Sequence, residues 1–373
     1  MDRIKIGQIG VCHEHADGKI ATLRKMTDVF EIVGVVDDRA TRSVRFAGDN
    51  LAPYEGLRWM TETELFNVPG LQAVTVETPN DDLVPTALRC MERNLAMHMD
   101  KPAGYDLGRF DTLLRGCEER KLPFQIGYMF RNNPAFQFCL DTTRKKWLGD
   151  IFEVQANMSH NYGGDAYQDY LGRLQGGIMF NLGCHLIDFI VALMGRPERI
   201  TPFLKSAPGF SDAIKNSGLA ILEYPHATAT VRACSLEVGG LEHRRLKICG
   251  TKGTIELSPL ERFDGQPLLM QMTLLEGNAD FAAGIHIVDF GIKLDRYQDQ
   301  LLELAKLITG EMENPYTREH DTLVHEVILA AAGCKGGVDI VAAPKGSGTR
   351  VQGSGSECLS NTLPGVVKTI LES

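Results

Sequence analysis

The stretch Lys5-Ile6-Gly7-Gln8-Ile9-Gly10-Val11-Cys12-His13-Glu14-His15 decides how the N-terminal part of the chain folds. A short apolar run ends at a glycine and passes into an amphipathic segment at about residues 17–27, the sequence form of a strand that turns into a helix. That is where a dinucleotide pyrophosphate meets a helix N-terminus. Setting Gly10 at the first glycine of G-x-G-x-x-G leaves Cys12 and His15 at the other two, so the fingerprint is degraded and the backbone approaches a phosphate less freely. Gly10, Val11, Cys12 and His13 are the candidate cofactor turn. Val35-Val36-Asp37-Asp38 closes the second strand-like run, and a carboxylate there can hydrogen-bond the adenosine ribose hydroxyls. Adjacent Asp37 and Asp38 repel a 2′-phosphate, which favours NAD over NADP, although Arg39 and Arg42 could compensate.

Outward from this motif, strand candidates Lys5–Ile9, Ile32–Val36, Ala73–Glu77, Ala96–Met99 and Phe124–Ile126 alternate with helical patterns at 17–27, 40–48, 61–67, 83–93 and 107–119. Such alternation predicts βαβ units around a parallel sheet. Beyond Gly127 the reading is a helix at 134–147, a long strand from Ile151 to His160, and a glycine-rich passage into an apolar helix. Runs at 199–206, 216–224, 227–236, 244–249 and 253–258 predict an open antiparallel sheet, followed by helices at 295–309 and 317–332. The expected fold is an α/β Rossmann domain over 1–124 and an α+β domain over 125–343 with a large, mostly antiparallel sheet. Residues 344–373, with Gly-Ser repeats, read as a flexible or accessory tail.

Composition narrows the function. A formal net charge of −9 disfavours a nucleic-acid partner. No apolar run is long enough to span a membrane, and the N-terminus lacks the pattern of a secretory signal, so a soluble cytoplasmic protein is expected. Nine scattered cysteines without a Cys-x-x-Cys pair indicate neither a disulfide framework nor a zinc site. A small-molecule ligand is the remaining expectation.

Thr78-Pro79-Asn80 and Asp100-Lys101-Pro102 follow the third and fourth main strand candidates. Ligands bind at the carboxyl ends of strands in open parallel sheets, which makes Thr78, Pro79, Asn80, Asp100 and Lys101 candidate cofactor contacts. The Lys101 ammonium could also polarise a substrate hydroxyl. Gly176-Gly177-Ile178-Met179-Phe180-Asn181-Leu182-Gly183-Cys184-His185-Leu186-Ile187-Asp188 is apolar except for Asn181, His185 and Asp188. At helical spacing these three share one stripe; buried polar groups need partners or a ligand. Arg131 and Tyr162 are candidate pocket-lining residues, each equally readable as structural. His13-Glu14-His15 offers only two imidazoles without an evident third ligand, so no metal is expected.

The glycine turn, Thr78-Pro79-Asn80, Asp100-Lys101-Pro102 and Gly177…Asn181…His185 together resemble the glucose-fructose oxidoreductase / inositol dehydrogenase / rhizopine-catabolism family over about residues 3–340. Cys249-Gly250-Thr251-Lys252-Gly253-Thr254-Ile255-Glu256-Leu257 is similar to its recurring turn and strand. The resemblance implies a homo-oligomer through the C-terminal sheet, Lys101 as substrate-orienting lysine, His185 as general acid/base and residue 181 as a substrate contact; Asp188, Arg131 and Tyr162 stand beside these as substrate-binding candidates from the residues themselves. Two departures stand out: Asn181 replaces the family's usual aspartate, and Asp100 its usual glutamate. The implied activity is hydride transfer between a nicotinamide and a secondary alcohol of a sugar, glycoside or cyclitol, with C3 oxidation of a glycoside preferred. The rivals are an NAD-dependent glycosidase or lyase and a non-catalytic sugar or nucleotide sensor.

Overall fold

Six parallel strands form the first sheet of the computed structural model, which describes residues 3–41 and 47–334. They are β1 (Ile4–Ile9), β2 (Phe30–Val36), β3 (Trp59–Met60), β4 (Ala73–Val76), β5 (Ala96–Met99) and β6 (Phe124–Ile126), in the order β3-β2-β1-β4-β5-β6. The order reverses at β1 and β4, a topological switch point of the Rossmann type whose crevice lies beyond the strands' carboxyl ends. β4 and β5 are buried at every position, as expected of parallel strands covered on both faces.

The connections are α1 (Ala16–Lys25), α2 (Glu62–Phe66), α3 (Leu83–Glu92) and α4 (Leu107–Glu119). Thr61 and Glu64 cap α2 reciprocally, and Asp106 caps α4 through the Arg109 N–H, each satisfying an orphan helix-end donor. α3 buries Leu83, Val84, Ala87, Cys90 and Met91, and α4 buries Phe110, Leu113, Leu114 and Cys117, the stripe that packs each helix on the sheet. The helix expected over 40–48 is replaced at its start by a 3₁₀ turn at Arg39–Thr41, where Thr41 N–H bonds Asp38 O at 3.2 Å; residues 42–46, Arg42 among them, lie outside the described residues.

α5 (Pro134–Arg144) leads to the second sheet, whose strands are β7 (Ile151–Ser159), β8 (Arg199–Lys205), β9 (Ser217–Tyr224), β10 (Ala227–Cys234), β11 (Arg245–Gly250), β12 (Gly253–Leu257), β13 (Leu269–Leu274) and β14 (Gly284–Asp289). Their order is β14-β13-β12-β11-β7-β10-β9-β8, antiparallel except for β7 with β10. One face buries Val154, Ala156, Met158, Ala220, Leu222, Ala229, Val231 and Ala233. α6 (Asp165–Leu171) precedes α7 (Cys184–Met194), which packs on that face. The apolar stretch before α7 is not regular helix as its spacing predicts: Met179–Gly183 form a π-helical turn, a feature frequent at functional sites.

The last two helices are α8 (Gln298–Thr309) and α9 (Arg318–Ala331). α8 packs against the first sheet, with Leu301 and Leu304 in one cluster with Ile4, Ile6 and Ile20. Gln125 of β6 fixes it by donating to Glu303 Oε1 at 2.7 Å and Gln300 O at 3.1 Å. Residues 344–373, read as a tail, lie outside the described residues.

Candidate active site

At the end of β1 the chain turns at Gly10 with φ +93°, and a Cβ there would stand 2.7 Å from the Glu77 and Thr78 backbone. Glycine alone fits this close approach. Cys12 packs inward with Val11 and Tyr54, while His15 turns its ring onto Asp100, Nδ1 lying 3.1 Å from both carboxylate oxygens. The side chains that replace the second and third glycines therefore turn away from the cradle. At the end of β2, Asp38 Oδ1 accepts from Val11 N–H at 2.9 Å. Asp37 holds Arg39 through Nε at 2.9 Å and Nη2 at 2.5 Å. The tight turn and these acids are suited to the phosphate and ribose portions of a dinucleotide.

Lys101, 1% exposed, donates from Nζ to Asn181 O at 2.9 Å and to Glu14 Oε1 at 3.3 Å. Burial presses the ammonium's pKa down, but Glu14, then Cys184 and Asp100, outweighs it and holds the pKa above its ordinary value. Glu14 mirrors this: burial pushes it up, and Lys101 with the neighbouring histidines brings it below the usual carboxylate range. Asn181 Nδ2 donates to Tyr167 Oη at 3.0 Å and lies 3.5 Å from Glu14 Oε2. Asn80 belongs to the same layer, donating to Lys101 O at 3.1 Å and accepting from Tyr170 Oη at 2.8 Å.

His185, at the start of α7, has neither ring nitrogen hydrogen-bonded among the described residues and is 1% exposed. Tyr128 and Phe130 meet its ring edge-on at 6.1 Å and 5.9 Å. Burial first, then the Lys101 charge, depresses its pKa well below the ordinary value, so the imidazole is neutral near pH 7. Asn181 Oδ1 and Tyr128 Oη are likewise buried and unpartnered among the described residues. Tyr162 is stacked between His160 at 3.9 Å and Tyr167 at 4.2 Å.

The sequence-selected residues thus divide. Lys101 and Asn181 come together with Asn80 beyond the end of β4, and the Lys101 charge reaches His185 on the next helix. Arg131 and Asp188 do not offer free groups: Arg131 Nη2 donates at 2.6 Å to Asp188 Oδ1 and at 2.6 Å to Asp321 Oδ1, all three being buried. The π turn separates Asn181 from the α-helical stripe of His185 and Asp188, which lie three residues apart in α7, and Asp188 is taken up by Arg131 beside Asp321 of α9. Glu14 was considered in the sequence only as a hypothetical metal ligand; its proximity to Lys101 depends on residues far apart in the chain.

Comparison with known proteins agrees with this architecture. Residues 4–128 match the model of an oxidoreductase family with an NAD-binding Rossmann fold, and residues 139–256 match the GFO/IDH/MocA C-terminal domain. The chain is 24% identical over 275 residues to the uncharacterized oxidoreductase YhhX of Escherichia coli K12, covering 72% of this chain and 74% of that protein. Its fold is similar to that of an Agrobacterium radiobacter oxidoreductase in complex with NAD⁺, L-tartaric acid and magnesium, at TM-score 0.70 and 18% identity over 89% of this chain and 97% of the other. It is also similar to GenD2 from gentamicin A biosynthesis in complex with NAD, at TM-score 0.70 and 17% identity over 89% and 95% of the two chains. With the Rossmann strand order, the second mostly antiparallel sheet and both family models in register, the chain belongs to the glucose-fructose oxidoreductase / inositol dehydrogenase / rhizopine-catabolism family of NAD-binding oxidoreductases.

Proposed function

We propose that this oxidoreductase is an NAD-dependent dehydrogenase of a secondary alcohol on a carbohydrate-like substrate, with Lys101 and His185 as its catalytic pair. The observation that carries the reading is a buried ammonium whose charge acts on a neutral buried imidazole, both of whose nitrogens are unpartnered among the described residues. Gly10–His13, Asp37, Asp38 and the Thr78–Asn80 turn would hold the dinucleotide, with Asp100 supporting Lys101 from below. NAD is favoured over NADP because two carboxylates end β2 and Asp37 already engages Arg39. Bound NAD⁺ supplies the acceptor for hydride leaving the substrate carbon.

His185 takes the hydroxyl proton on a ring nitrogen, and Lys101 Nζ donates to the alkoxide as its charge develops, an interaction strongest in the transition state. Asn181 Oδ1 accepts from a substrate hydroxyl. Glu14 keeps Lys101 charged and aimed, supplying from the glycine turn the carboxylate that position 181 lacks. The stacked His160, Tyr162 and Tyr167 offer an aromatic wall for the apolar face of a pyranose or cyclitol ring, and a glycoside oxidised at C3 is the preferred substrate. Arg131 and Asp188 act through α7, as positioning residues. The protein works as a cytoplasmic homo-oligomer joined through the second sheet.

The test is formation of reduced nicotinamide, followed by its near-ultraviolet absorbance, with NAD⁺ or NADP⁺ and a panel of sugars, inositols and glucosides. His185→Ala should still bind NAD but lose about 10²–10⁴ in turnover. Full activity in that variant overturns the role of His185. Bond cleavage without net reduction would favour a glycosidase or lyase, and binding without chemistry a sensor.

A further inference from the structure

Arg244 and Arg296 share a single carboxylate. Arg244 Nη1 and Arg296 Nη2 each donate at 2.8 Å to Glu261 Oε1. Arg244 also donates from Nε to Ser159 O at 3.0 Å, and no second carboxylate pairs with either arginine among the described residues. Arg244 and Glu261 are buried, so the group holds one surplus positive charge largely out of water, which calls for an anion. The count is reversed at Arg131, whose one guanidinium lies between two buried acids. A guanidinium carries five N–H donors. Arg296 Nε has no hydrogen-bond partner among the described residues, and the side chain remains 31% exposed, so Arg296 keeps donors for a ligand.

The loop that carries Arg296 is pinned to the first domain. Asp295 accepts from Thr22 Oγ1 at 2.9 Å, from Lys25 Nζ at 3.0 Å and from Tyr297 N–H at 2.9 Å, and the Tyr297 ring stands 6.0 Å from that of His15. Arg296 lines one cleft with Glu261, Phe263 and Phe130, and Phe130 meets the His185 ring at 5.9 Å. The aromatic wall joins the two charged groups. Tyr167 accepts from Asn181, Tyr162 stacks on Tyr167 at 4.2 Å and His160 on Tyr162 at 3.9 Å, and the carbonyl that holds Arg244 belongs to the residue before His160. Burial raises the Tyr162 pKa and Glu14 adds to it, while Arg244, Lys101 and Arg296 oppose it, which sets Tyr162 between the two groups. Arg296 also acts on His185, after burial and Lys101.

We infer that Arg296, backed by Arg244, binds a carboxylate on the substrate, so that the enzyme acts on a sugar acid such as a hexuronic acid or its glycoside; the inference rests on the dehydrogenase reading above. A carboxylate supplies the single negative charge that Arg244, Glu261 and Arg296 lack, whereas a phosphate monoester, at up to about −2 near pH 7, exceeds it. Guanidinium and carboxylate pair through charge-assisted hydrogen bonds. With the sugar ring against Tyr162 and Tyr167, the carboxylate at Arg296 and a hydroxyl at Lys101 and His185, three contacts fix which carbon loses hydride.

The test compares D-glucuronate and D-galacturonate with D-glucose and D-galactose, first by calorimetric titration of the full chain loaded with NADH, where no alcohol can be oxidised, and then by NAD⁺ reduction. A uronate should bind at least about 10-fold more tightly than its parent sugar, and Arg296→Met should lose about 10–100-fold of that affinity, the worth of a hydrogen bond to a charged group. The loss should fall on KM with kcat little changed, and the parent sugar's affinity should not move. Arg296→Met leaves Arg244 and Glu261 paired one to one, and thermal melting checks that it folds; if it does not, Arg296→Lys, which keeps the charge without the planar fork, carries the comparison. Binding of neither uronate, equal binding of uronate and parent sugar, an equal loss for both in the variant, or tighter binding of glucose 6-phosphate than of glucuronate overturns the inference. Arg296-dependent uronate binding without NADH formation from any sugar would uphold the acid site and reject the dehydrogenase reading.

Discussion

Replacing Arg131 with methionine removes one guanidinium from between two buried carboxylates. Arg131 bonds Asp188 through Nε at 3.1 Å and Nη2 at 2.6 Å, and Asp321 through Nη2 at 2.6 Å. The Tyr316 ring centroid lies 3.8 Å from its Cζ. Breaking a buried pair from one side costs about 3–5 kcal/mol because the remaining charge stays buried, and here two remain. At about 2–4 °C per kcal/mol for a large domain, Tm at pH 7 should fall by on the order of 10 °C. Burial alone would raise the Asp188 pKa, but Arg131 outweighs burial and holds it below the ordinary value.

That depressed carboxylate stabilises the fold above its unfolded pKa, and the contribution is lost as pH falls through the folded value. Without Arg131, burial pushes Asp188 the other way, so the variant's deficit should shrink on acidification, first as pH falls through the variant's raised value and finally as it falls through the depressed wild-type value. Thermal melts followed by circular dichroism across pH measure both effects. A variant within about 1 kcal/mol of wild type at pH 7, the range of an exposed pair, would refute the reasoning. If that stable variant also lost substrate affinity, Arg131 would instead be the substrate contact suggested by the sequence.

Two further outcomes follow from the same burial and charge arguments. His185 has a folded pKa below its unfolded one, so its neutral burial costs nothing above about pH 6.5 and destabilises as pH falls below it; His185→Gln should flatten this part of the melting-temperature profile, and an equal pH slope in both proteins would contradict the assignment. Glu14→Gln strips the buried Lys101 ammonium of its nearest carboxylate and should reduce kcat. Adding Asn181→Asp should restore part of that loss, whereas no recovery in a folded double variant would refute charge compensation between the positions.

The first sheet was legible because each main strand is an apolar run bounded by turns and followed by a helix-spaced stripe. Trp59–Met60 is too short to carry a period, and β3 was missed. β13 and β14 were also missed: Leu269-Met270-Gln271-Met272-Thr273-Leu274 alternates, but its pairing with the exposed Gly284–Asp289 segment depends on a distant loop return. The helical spacing misled at Asn181, because the Met179–Gly183 turn is π-helical and sets Asn181 off the α-helical progression that His185 and Asp188 keep in α7.

Position 181 has the widest consequence. Read along the chain, asparagine there removes a charge from the neighbourhood of His185. In space, Glu14 lies 3.3 Å from Lys101 Nζ and 3.5 Å from Asn181 Nδ2, so a carboxylate reaches the same layer from the opposite domain edge. The glycine fingerprint is degraded in the same segment: His13-Glu14-His15 occupies the turn, with Glu14 directed to Lys101 and both histidines to the acids beneath it. Loss of the ordinary phosphate-turn residues and loss of aspartate at 181 therefore become coupled features, since one rebuilt turn supplies the charge that the other position lacks. A linear reading treats them as two departures from the family; the buried contacts make them parts of one electrostatic arrangement.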